Sequence, residues 1–149
     1  MRKTIFTLLI AISSTIAIAQ TDNSAEHTNL KNGIALQGYD PVAYFTVSKP
    51  TPGDKTIQAT YEGATYYFTS QENRDAFTKN PEQYVPQFGG FCAYGMSEGY
   101  EAPIKPEAFT IENNKLYLNY NLKVREDWSK NKNVRIAKAT VNWEKIKNL

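Results

Sequence analysis

The chain has 149 residues, with 17 basic and 15 acidic side chains and a formal net charge of +2. Arg2 and Lys3 carry that whole excess, and the later Lys and Arg alternate with acids except near the C-terminus, so the clustered basic face that a nucleic acid would require is missing from the pattern. A single cysteine, Cys92, excludes an intrachain disulfide, and one Cys with one His, His27, excludes a closed structural zinc site.

The first element reads as an export signal. Arg2 and Lys3 form a positive start, residues 5–19 are apolar apart from a few hydroxyls, and Ala17-Ile18-Ala19 supplies the small residues of a cleavage site. The expected division is a signal peptide at 1–19, a polar flexible lead-in at 20–32 beginning with Gln20, and one domain at 33–149. The run is short for a bilayer span, so the expectation is a periplasmic or secreted protein with no stable membrane insertion after cleavage.

Within the domain, Gly38-Tyr39-Asp40-Pro41 forces a turn, because Pro41 fixes its own φ and pushes Asp40 out of the helical region. Asp40 reads as a turn-stabilising side chain rather than an acid catalyst. Val42 to Phe45 is expected to be extended. Thr56 to Tyr61 and Ala64 to Thr69 are β-branched and aromatic around Glu62-Gly63, which predicts a hairpin. A helix follows, capped by Ser70 and stopped by Asn80-Pro81.

A second hairpin is predicted at Phe109 to Glu112 and Lys115 to Tyr120, around Asn113-Asn114, two residues that tolerate positive φ. Helices are predicted from Asn121 or Leu122 to Lys130 and at the C-terminus, where Ile136, Thr140, Trp143 and Lys147 share a face with Ala139 and Ile146 beside it. Trp143 reads as a core anchor of that face. The fold class is α+β, a small antiparallel sheet packed with helices, among them a long amphipathic C-terminal one.

Three ordered blocks carry a family resemblance: Gly38-Tyr39-Asp40-Pro41-Val42-Ala43-Tyr44-Phe45, then residues 61–70 (Tyr-Glu-Gly-Ala-Thr-Tyr-Tyr-Phe-Thr-Ser), then residues 77–84 (Phe-Thr-Lys-Asn-Pro-Glu-Gln-Tyr). They resemble the YHS-domain family over about residues 38–84. The extension at 85–149, with Gly89-Gly90-Phe91-Cys92 and the stretch from Leu116 to Trp143, resembles an exported single-cysteine subgroup. The resemblance implies a small α+β module associated with metal handling through cysteines. At the places of the family's cysteines this chain has Ala43, Thr69 and Asn73, so that ligand set does not carry over.

Chemistry then centres on Cys92, with three readings open. A thiolate with a thioether suits a copper ion as Cu(I), and Cys92 with Met96 is the candidate metal pair. A reactive thiol is the second reading, although no Lys, Arg or His adjoins it in sequence and a hydrolase would need a base. The third is a small buried hydrophobe. The candidate ligand-binding set is Tyr39, Asp40, Tyr44, Cys92 and Tyr94. The functional expectation is a non-enzymatic exported binding protein for a metal ion or small molecule near Cys92, with a thiol-redox protein or a ligand-free interaction module as alternatives.

Overall fold

The computed structural model describes residues 24–149, so the expected signal peptide and Gln20 lie outside the described residues. Among the described residues, six strands and five α-helices form one α+β unit. The first sheet contains β1 (Leu30–Lys31), β2 (Ile34–Ala35), β3 (Asp54–Tyr61) and β4 (Ala64–Phe68) in the order β1-β2-β4-β3. Its pairs are antiparallel except β2 with β4, which run parallel. The second sheet is the hairpin of β5 (Phe109–Glu112) and β6 (Lys115–Leu118).

Both hairpins turn as their sequences require. Glu62 and Gly63 have φ of 47° and 73°, and Asn113 and Asn114 have 50° and 60°, the paired positive values of a tight turn whose twist matches the strands. Helix α2 (Gln71–Lys79) starts where the Ser70 side chain accepts the Asn73 N–H, and α4 (Leu122–Ser129) starts at Asn121 by the same device with Val124.

One predicted element is wrong in kind. Residues 43–46 form a short helix, α1 (Ala43–Thr46), and not an extended segment. The cause is Asp40, whose carboxylate accepts the Val42 and Ala43 N–H groups at 2.8 and 3.3 Å and so offers the chain a helical start.

Strand β6 separates two cores because its side chains alternate between faces. Leu116 and Leu118 join Phe68, Phe77, Tyr44 and Tyr66 between the first sheet, α2 and the second hairpin. Tyr117 points the other way, to Met96, Trp128 and Ala139, where α3 (Ala93–Ser97), α4 and α5 (Lys132–Ile146) meet. Each fully buried large apolar side chain contributes about 1.5–3 kcal/mol by leaving water.

The inward face of α5 is Ile136, Ala139, Trp143 and Ile146, whereas Thr140 and Lys147 are exposed. Trp128 is the tryptophan buried completely; Trp143 is only half-buried. The anchor role expected of Trp143 therefore falls to Trp128. The lead-in is also structured where it is described: residues 24–27 make a helical turn, β1 follows, and the Asn29 N–H and side-chain amide bond the Gly89 and Gly90 carbonyls at 2.8 and 3.0 Å.

Candidate functional site

Of the side chains expected to line a pocket near Cys92, Tyr44 is buried in the same core as the thiol, Tyr39 and Tyr94 pack against that core, and Asp40 is engaged in a hydrogen-bond network of its own. Tyr44 is fully buried and donates its hydroxyl to the Pro106 carbonyl at 3.1 Å. Burial holds its ionisation well above the usual tyrosine range. Tyr39 packs half-buried against the same core, while Tyr94 lies beneath the Arg135 guanidinium, 3.7 Å from its ring centroid.

Asp40 is fully buried, and both of its oxygens are occupied. Besides the two N–H groups at the start of α1, it accepts the Thr69 N–H and hydroxyl at 2.8 Å each and the Asn73 amide at 2.7 Å. The Asn73 amide also donates to the Thr69 hydroxyl at 3.1 Å. Ala43, Thr69 and Asn73, the positions where the resemblance places thiolates, are therefore brought together around a carboxylate. No lone pair of that carboxylate is spare for a cation, and its neighbours at these positions are chiefly donors.

Cys92 is 2 % exposed and occupies the cap position of α3. Its sulfur accepts the Gly95 N–H at 3.5 Å, and its proton is directed to the Asn119 side-chain oxygen at 3.7 Å, which also receives the Tyr94 N–H. The sulfur thus has both a donor and an acceptor within the fold. Met96, fully buried, belongs to the other core, with Trp128. The pair offers a copper ion no open ligand: the two residues belong to different cores, both are buried, and the thiol is hydrogen-bonded on both sides. Among the described residues no three His, Cys, Asp or Glu side chains gather to hold a metal ion.

The open space lies elsewhere. A groove of about 910 Å³ is walled by residues 26–28, by Tyr61, Glu62 and Tyr66 at the end of the first hairpin, by residues 85–89, and by Trp143, Lys147 and Leu149. One glycine of the lining permits a close backbone approach. Gly89 has φ of +60°, and a Cβ there would stand 2.1 Å from the His27 carbonyl oxygen and 2.9 Å from the Trp143 ring.

Several aromatic rings stand in the walls. His27 meets Trp143 edge-on at 6.3 Å between centroids, with its Nδ1 3.9 Å from Glu101, and Phe88 meets Trp143 at 6.5 Å. Tyr66 is buried against Phe77, yet no hydrogen bond among the described residues engages its hydroxyl, and it lines the groove. Burial first, then the Glu62 charge and Tyr61, raise its ionisation far above the usual tyrosine range.

The groove draws on segments 60 to 120 residues apart in sequence, as the separation of His27 from Gly89 and Trp143 shows, so no local motif announces it. Its nearest signal was the Gly89-Gly90 pair, which marks a close backbone approach; aromatic richness alone could not say which rings stay open.

Comparison with known families adds one assignment. A YHS domain is detected at residues 42–88. It begins just after Asp40 and ends at Phe88, so Tyr61, Glu62, Tyr66 and the 85–88 wall of the groove belong to the YHS domain, whereas His27, Gly89 and Trp143 come from segments flanking it. The detection is consistent with a metal-handling role, but the residues at the expected cysteine positions do not fit that chemistry. No curated protein and no solved structure matches the chain.

Proposed function

We propose that this is an exported, non-enzymatic binding protein that holds a small molecule in the groove where its YHS domain meets the flanking segments. The observation that carries the reading is the groove itself: about 910 Å³, within the range of small-ligand sites, with several aromatic rings in its walls and a few unspent polar groups. The space expected near Cys92 is filled by packing. Export rests on the Arg2-Lys3 start and the Ala17-Ile18-Ala19 site, and it requires a mature chain beginning at Gln20.

The test is native mass spectrometry of the protein released from its own compartment. A bound small molecule should accompany wild type and Cys92→Ser and be lost from Trp143→Ala. A ligand retained by Trp143→Ala but lost from Cys92→Ser would move the site back to the thiol, and a ligand-free wild type would reject the reading. The same spectra report the N-terminus.

A further inference from the structure

The chemistry of the groove narrows its ligand class, taking the ligand-binding reading above as its basis. Two carboxylates line it, Glu26 and Glu62, and neither takes part in an ion pair among the described residues. The one lysine of the lining, Lys147, is already paired with Glu144 at 2.8 Å. An incoming ligand therefore meets two carboxylates without ion-pair partners and the half-buried ring of Trp143, with Tyr66 and Phe88, both largely buried, completing the lining.

That combination suits one kind of molecule. An anion would meet like charges, and a neutral apolar compound would leave both carboxylates unused. A cation with an apolar body satisfies both features, because ring faces attract positive charge while carboxylates supply the long-range pull. Burial first, then the Glu62 charge, raises the ionisation of both Tyr61 and Tyr66, and Tyr61 is also hydrogen-bonded to Glu62, so the carboxylate sits beside both rings. Tyr66 thus remains a neutral hydrogen-bonding group, able to accept an ammonium N–H. We propose that the groove binds an organic ammonium compound, with Trp143 and Tyr66 against the cation and Glu62 and Glu26 as its counter-charges.

The experiment compares three probes that share a phenyl body: phenethylammonium, phenethyl alcohol and hydrocinnamate. Binding is read from the Trp143 indole resonance, assigned with Trp143→Phe, while Trp128, fully buried in the helical core, serves as internal reference. The ammonium probe should shift Trp143 and leave Trp128 in place, and should bind more tightly than the alcohol by roughly two- to thirtyfold. Glu26→Gln with Glu62→Gln should remove much of that preference, and added salt should weaken it. Equal binding of all three probes overturns the cation assignment while the groove remains a ligand site. Preference that survives the double substitution overturns the role of the carboxylates. If no probe moves Trp143, the groove reading falls, and the cation assignment with it.

Discussion

The Asp40 centre and the groove make an instructive pair, since both gather polar groups in or beside the YHS domain and treat them oppositely. Around Asp40 each acceptor lobe is taken: Thr69, Asn73, Val42 and Ala43 donate to it, and the carboxylate is sealed from solvent. In the groove, the Tyr66 hydroxyl and Glu26 have no such partners among the described residues, and Glu62 is engaged only by the Tyr61 hydroxyl. Buried polar groups fully satisfied by the fold contribute specificity and stability, whereas polar groups positioned and left open are available to something outside the chain. The first region is a staple; the second is a site.

The comparison breaks most visibly at Asp40. Asp40→Ala removes the shared acceptor of five donors and should cost about 3–5 kcal/mol, read as a drop in denaturation midpoint. A loss below about 1 kcal/mol would show that the staple is not holding α1 and α2 to the sheet.

Alkaline pH probes the buried tyrosines of both regions. The folded-state ionisation of Tyr44 and Tyr66 lies above the ordinary 10.0, so their contribution to stability is full below about pH 10. It is lost as pH rises further, because the unfolded chain releases these protons first. Phenolate absorbance followed with circular dichroism should show the two ionising only as the fold is lost; ionisation of both in the intact protein near pH 10 would contradict their burial.

Gly89→Ala should cost about 1–3 kcal/mol, since the site has positive φ and no room for a methyl group. Hydrogen exchange should accelerate at the Asn29 amide, which bonds the Gly89 carbonyl, before it does so in the first sheet.

Cys92 gives a smaller effect that separates packing from chemistry. Cys92→Ser keeps a side-chain acceptor for the Gly95 N–H and a donor to Asn119, so Cys92→Ala should be the less stable of the two by about 0.5–2 kcal/mol. A thiol reagent should modify the folded protein only at the rate of opening. Rapid labelling would restore the redox alternative.

Tyr66→Phe is the least disruptive change. It removes a hydroxyl that the fold does not use, so stability should move by less than about 0.5 kcal/mol while binding of an ammonium probe weakens.

Much of the scaffold could be read from residues. Glu62-Gly63 and Asn113-Asn114 announce hairpins because few residues accept consecutive positive φ, and Ser70 announces a helix because its oxygen serves an otherwise unpaired N–H. The errors share a cause: contacts distant in sequence. Asp40 reads as a turn residue, and only its approach to Thr69 and Asn73, about 30 positions on, shows that it closes the space where cysteines were expected. Trp128 and Trp143 both sit on amphipathic helices. Which of them is sealed depends on Tyr117 covering one, while His27 and Phe88 only rim the other. The β1 segment looked polar and aperiodic because two residues are too few to show alternation.

The clasp between Asn29 and Gly89-Gly90 has a practical side. Residues 26–28 and residues 147 and 149 border one opening, so a fluorophore attached beyond either segment would sit at the mouth of the groove. A dye sensitive to its surroundings, placed on one of these segments, would report occupancy through its emission, turning the protein into a reagentless sensor for whatever it captures.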